Sequence, residues 1–159
     1  MKRYYVERLP FSWEKPVRIK DSEMKTELTV KKEPLSWGQT LQFLDGANQV
    51  NVRLQQKVCG TVSRFTVMEN EKEGLEITKQ PGFRKPKYKF SEKEWNLKGN
   101  PSSHHYQLIY QNKVVAKARP VNIENKKLFL WEIVEDEQEF LAIGLMFLLN
   151  FILNSAESD

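Results

Sequence analysis

Cysteine is nearly absent from this sequence, Cys59 being the sole example in 159 residues. One thiol excludes an intrachain disulfide and a cysteine-based zinc cluster, and it points to a reducing compartment. Histidine is as scarce: His104 and His105 are adjacent, and neighbouring residues on a strand face opposite sides. No acid or thiol nearby completes a ligand set, so the pair reads as a turn or a strand entry rather than a metal site. The Gly-rich phosphate loop, the GxSxG elbow and the HExxH helix are all missing. Nothing local therefore supports catalysis, and the chain is read as a non-enzyme with no cofactor and no metal. The opening MKRYYVERLP is broken by Glu7 and Arg8 and lacks the apolar core of a signal peptide, which predicts a cytoplasmic protein.

What is present fits one globular domain over residues 1–159, with 40% hydrophobic and 29% charged residues. A chain this long buries about 68–70% of its extended surface on folding, enough for a sizeable core. The net charge of +4 gives a mild preference for anionic partners, well short of a dedicated nucleic-acid binder.

A repeat organises the first half. PFSWEKPVRIKD, Pro10 to Asp21, returns as PLSWGQTLQFLD, Pro34 to Asp45, with Pro, Ser, Trp and Asp at matching places. Val17 and Ile19 correspond to Leu41 and Phe43, apolar residues two apart, the period of a strand with one buried face. A fainter third copy places Phe65 and Val67 in the same positions and Glu69 in place of the Asp. Trp13 and Trp37 read as packing anchors. So short a period suggests hairpins side by side in a sheet, since one hairpin alone does not bury its apolar face.

Alternation continues through Val50, Val52 and Leu54, through Leu75 and Ile77, and through Phe129, Trp131 and Ile133. Turn residues separate the runs at Asp45-Gly46, Glu73-Gly74, Lys98-Gly99-Asn100-Pro101, Gln111-Asn112 and Asn125-Lys126. About 10 to 12 strands are expected before residue 135.

The pattern then changes. From Phe140 to Leu149 no polar side chain occurs, and Phe151, Ile152 and Leu153 follow Asn150. Asp136 is the expected N-cap, with Glu137 and Glu139 in the first turn, where the helix dipole favours negative charge. Phe140 to Leu153 covers about 21 Å at 1.5 Å per residue, against about 30 Å of bilayer hydrocarbon. The segment is therefore a buried helix, about 137–154, and a helix apolar on every side must be enclosed by the strands before it. The expected fold is mainly β: an antiparallel barrel of about 12 strands, about 1–135, enclosing an apolar C-terminal α-helix.

In these features the chain resembles the tubby C-terminal-like superfamily, and within it the LURP-one-related proteins and their small bacterial relatives. The resemblance rests on the strand-turn units ending in Asp21 and Asp45, then Trp95, Leu97 and Gly99, then Tyr106 and Leu108 leading to Val115-Ala116, then Phe129, Trp131 and Ile133, and finally Glu135-Asp136 before the helix. It implies a twelve-stranded barrel around a central hydrophobic helix. In tubby proteins that fold carries a phosphoinositide site, and phospholipid scramblases are thought to share it. The proline-rich leader and acylated cysteines of scramblases have no counterpart here, and no tubby lipid-contact residue is matched.

One segment stands out for charge. Lys79 to Lys98 carries seven basic residues against Glu92 and Glu94, a local charge of +5, interleaved with Phe83, Tyr88 and Phe90. Arg84, Lys85, Lys87 and Lys89 are its candidate anion- or lipid-binding residues, because the alternation puts the last three on one face of an extended chain. The competing role is structural: Lys and Pro on an exposed strand block edge-to-edge aggregation, with the aromatics inward. Cys59, between Val58 and Gly60, reads as a small core residue, and the acids from Glu132 to Glu139 do not match a calcium loop. The expected function is a binding module for anionic phospholipid head groups, peripheral to a membrane, or for a phosphorylated ligand. A protein-interaction scaffold is the alternative, and nucleic acid is not expected as a partner.

Overall fold

The computed structural model describes residues 1–7, 16–32, 40–47, 49–59, 62–69, 72–80 and 87–152. Its strands are β1 (Lys2–Glu7), β2 (Val17–Lys20), β3 (Thr26–Lys32), β4 (Thr40–Leu44), β5 (Val50–Cys59), β6 (Val62–Glu69), β7 (Lys72–Gln80), β8 (Lys87–Phe90), β9 (Trp95–Asn100), β10 (His105–Tyr110), β11 (Lys113–Ile123) and β12 (Lys126–Ile133). They form one sheet in the order β8-β7-β6-β5-β4-β3-β2-β1-β12-β11-β10-β9. Two antiparallel meanders thus meet where β1 pairs with β12, from Lys2↔Ile133 to Glu7↔Leu128. The sheet curls into a nearly closed barrel.

Alternation chose the inner face as expected. Ile19, Phe43, Leu54, Val67, Ile77 and Trp131 are all buried in one core. The repeat has a physical basis in its aspartates. Asp21 Oδ1 accepts the N–H groups of Glu23 and Lys25 at 2.9 and 3.0 Å, and Asp45 Oδ1 accepts those of Ala47 and Gln49 at the same distances. A short carboxylate that caps the backbone two and four residues ahead closes each turn. Glu69 of the third copy ends β6, in register with Lys72. Trp13 and Trp37 lie outside the described residues.

Three turn assignments shift. Glu73-Gly74 is strand, inside β7 beside the register shift between Val67 and Glu69. Lys98 to Asn100 also belong to β9, and Gly99 has φ +104, where a side chain would meet the His105 carbonyl at 2.7 Å. In the last hairpin the turn residues are Glu124 and Asn125, whose φ values of 49 and 66 match those of Gln111 and Asn112 at 50 and 64. Both pairs give the doubly positive turn that suits the right-handed twist of a hairpin. His104 caps a short 3₁₀ turn at φ 60, and His105 opens β10, the turn and strand-entry roles expected.

The chain's α-helix, α1 (Glu139–Phe147), follows a 3₁₀ turn at Asp136–Gln138 and runs on as π-helix over Leu148–Ile152. Ala142, Ile143 and Leu145 through Leu149 are buried completely. No helix among the described residues is long and apolar enough to cross a membrane. The expected cap at Asp136 is corrected: the 3₁₀ turn begins after Glu135, and neither it nor α1 has a side-chain cap. Glu139 lies in the first turn, as expected, and does more than complement the dipole. It is 8% exposed, accepts a hydrogen bond from the Tyr4 hydroxyl, and accepts another from Lys2 Nζ at 3.1 Å. Strand β1 is thereby pinned to the start of the helix. Glu139→Ala leaves the buried Tyr4 hydroxyl without an acceptor, so a loss of about 2 kcal/mol is expected in denaturant unfolding. Adding Tyr4→Phe should return part of that loss, which a double-mutant cycle measures.

The far end of the helix is also tied. The Tyr106 hydroxyl donates to Asn150 Oδ1 at 2.5 Å and lies 3.3 Å from the Met146 carbonyl. Burial, with Tyr88 adding to it, holds the Tyr106 hydroxyl well above its ordinary pKa. Burial and the Glu139 carboxylate do the same to Tyr4. Both groups stay protonated in the barrel while the unfolded chain ionises above about pH 10, so stability is full below that pH and falls above it. The expected slope is about 1.4 kcal/mol per pH unit per tyrosine. Phenolate absorbance checks it: two of the five tyrosines should titrate only with unfolding.

Candidate anion-binding face

The cations of the outer wall follow from register. Residues that point inward along β8 are Tyr88 and Phe90, half-buried against the core, so Lys87 and Lys89 fall on the outer face, where both are exposed. Across β7 they oppose Gln80 and Thr78. Thr78 in turn opposes Arg64 of β6, and Arg64 opposes Lys57 of β5. One transverse row of the sheet therefore reads Lys57, Arg64, Thr78, Lys89. With strands about 4.8 Å apart, Arg64 and Lys89 stand roughly 10 Å from each other, the span of one anionic head group.

This row carries no carboxylate. Among the described residues, Arg64, Lys87 and Lys89 take part in no ion pair. Elsewhere on the wall carboxylates do meet cations: Glu132 lies 3.5 Å from Arg3 and 3.7 Å from Arg119, and Glu7 lies 3.2 Å from Lys20.

Of the residues singled out in the basic segment, Lys87 and Lys89 share the outer face. Arg84 and Lys85 lie outside the described residues. Lys79 sits across from Tyr88, on the opposite parity of the strand, so the +5 charge is divided between the two sides of the wall. Arg64 was not legible locally, because a position 23 residues before Lys87 joins it only through two ladders. The aromatic rings are taken up as well: Phe90 packs 6.5 Å from Trp95, and Trp95 packs 5.0 Å from Tyr110. Tyr88 and Phe90 are thus no exposed stacking platform of the kind that single-stranded nucleic acid uses.

A second surface feature is a hollow of about 240 Å³ on the outside of β1, walled by Tyr5, Met24, Ile123 and Leu128 with the Lys20–Glu7 pair at its rim. Its charges are matched, which sets it apart from the row of Arg64, Thr78 and Lys89.

A twelve-stranded antiparallel barrel filled by one apolar helix, with a cationic outer row and no assembled catalytic group among the described residues, is a scaffold of the tubby-like class. The chain belongs to the LURP-one-related family, whose model matches residues 2–141. It is similar to the uncharacterised protein YxjI of Bacillus subtilis (strain 168), 22% identical over 161 residues that cover 98% of this chain and 96% of the relative. The solved X-ray structure of an Arabidopsis thaliana protein superposes with a TM-score of 0.62 at 13% identity, covering 92% of this chain and 88% of the other. That likeness establishes the fold.

Proposed function

We propose that the chain is a non-enzymatic binding module that meets an anionic phospholipid surface from the cytoplasmic side, through the outer face of β6 to β8. The observation that carries this reading is the row of Arg64 and Lys89, with Lys87 beside it, that no carboxylate neutralises among the described residues. Arg84 and Lys85 precede Lys87 in the sequence and add to the charge of the segment. Each basic residue near an anionic surface contributes about 1 kcal/mol, so three to five give a modest, reversible affinity.

Co-sedimentation with phosphatidylserine vesicles tests it. Binding should weaken as salt rises, since the attraction fades beyond a Debye length of about 10 Å at 0.1 M. Replacing Arg64, Lys87 and Lys89 by Glu should weaken it at least a hundredfold, because three lost contacts amount to about 3 kcal/mol. The melting temperature should hardly move, since exposed charges add little to stability. A wild-type protein that ignores these vesicles at low salt sinks the reading.

A second reading, a protein-interaction scaffold, draws on the hollow beside β1, where Met24 is 40% exposed on a turn at φ 63.

A further inference from the structure

On β12 the core takes Phe129, Trp131 and Ile133, so Leu128, Leu130 and Glu132 fall on the outer side. Across the ladders Glu132 opposes Arg3 of β1 and Lys117 of β11. Arg119 lies two residues beyond Lys117, on the same face. Glu132 gives one carboxylate oxygen to each arginine: Oε2 lies 3.5 Å from Arg3 Nε, and Oε1 lies 3.7 Å from Arg119 Nε. Both guanidinium groups are thus held from their Nε side. With side chains 55% and 53% exposed, they leave their terminal N–H groups to solvent. Lys117 is exposed and takes part in no ion pair among the described residues. Three cations around one carboxylate leave a local charge of +2.

Four residues back along β12, Leu128 lines the hollow outside β1 together with Tyr5, Met24 and Ile123. At 3.3 Å per residue the cation cluster and the hollow stand roughly 13 Å apart. Pockets for whole small-molecule ligands measure roughly 300–1,000 Å³. The hollow, at about 240 Å³, suits one apolar side chain.

We propose that this outer face of β12 binds an extended phosphorylated peptide segment, with a phosphoserine on Arg3, Lys117 and Arg119 and an apolar side chain four residues away in the hollow. The inference rests on the scaffold reading and names its partner. Charge favours a phosphomonoester, which carries about −1.5 to −2 near neutral pH and offers three oxygens to two guanidinium forks. Strand geometry sets the spacing, since residues i and i+4 of an extended segment point the same way. The surroundings disfavour a bilayer. The chain leaves β12 through Glu135, Asp136 and Glu137, all exposed, and a flat anionic surface would meet that acidic rim. Strand β12 also stands six places from β6 in the order of twelve, so the peptide and the lipid-facing row occupy opposite sides of the barrel.

The test uses the full chain and a fluorescent nine-residue peptide with phosphoserine at its centre, Phe four residues to either side, and Gly and Ser elsewhere. Anisotropy should show it bind at low salt, about tenfold more weakly without the phosphate and about fivefold more weakly with both Phe replaced by Gly. Affinity should rise between about pH 5 and 7, as a phosphate with a second pKa of about 6 becomes a dianion. Arg3→Lys with Arg119→Lys keeps the charge and removes the forks, so it should weaken binding about tenfold without moving the melting temperature. Equal binding by that variant would reduce the site to charge and overturn the proposal. No binding by the phosphopeptide, or equal binding after loss of the phosphate or of both Phe, overturns it as well. So does competition from phosphatidylserine vesicles, which would put a membrane on this face. The Met24 methyl signal reports the hollow in nuclear magnetic resonance. A shift with phosphorylated and unphosphorylated peptide alike removes the phosphate site and leaves the scaffold reading standing, whereas no shift with either removes both.

Discussion

Deleting residues 137–159 should abolish cooperative unfolding. Six large side chains of the helix, Ile143, Leu145, Met146, Phe147, Leu148 and Leu149, are excluded from water altogether. At about 1.5–3 kcal/mol each their burial contributes roughly 9–18 kcal/mol, as much as the whole net stability of an ordinary domain. The inner faces of β5, β6, β7, β11 and β12, which pack on α1, would lose their covering at the same time. Calorimetry of the truncated chain decides: a broad or absent transition is expected, and a sharp endotherm would mean that the strands carry a core of their own.

Gly144→Leu should be the most damaging single substitution in the helix. A Cβ at this position would stand 2.8 Å from Val67 Cγ1 and 3.3 Å from both Leu54 Cδ2 and Val52 Cγ1. The helix thus approaches β5 and β6 as closely as a residue without a side chain permits. Overpacking a tight interior costs about 1–3 kcal/mol, and a four-carbon side chain directed at two strands belongs at the upper end. A fall in melting temperature of roughly 6–12 °C is expected for about 3 kcal/mol in a chain of this size. Gly144→Ala, with one carbon, should cost less, and a Leu variant that melts with the wild type would mean that the helix does not rest on this wall.

Much of the barrel was legible because its rules are local. Alternating apolar residues marked the inner faces, Asp21 and Asp45 marked their turns, and an apolar run too short for a bilayer had to be a filling. What escaped was whatever register decides. Gly74 looked like a turn residue, but it falls where the β6–β7 pairing shifts between Val67 and Glu69, and no window around Gly74 reveals that. Glu139 looked like a helix-start carboxylate, and only the β1–β12 pairing brings Lys2 and Tyr4 to it. The candidate face divided the same way: Lys87 and Lys89 shared a side by simple alternation, whereas Arg64 entered through two ladders and Lys79 left by parity.

The pairing of β1 with β12 also bears on how the chain is made. The first strand of the barrel waits for the last, and the helix that fills the interior is synthesised after all twelve. Until then each hairpin carries an apolar face with nothing to cover it, and the contacts that end this exposure span nearly the full length of the chain. Such non-local closure makes folding slow and leaves sticky surface open to other chains in the meantime. Closure of this barrel therefore waits for its last-made element, and its yield in a cell should depend on chaperones that shield the half-built sheet during that interval.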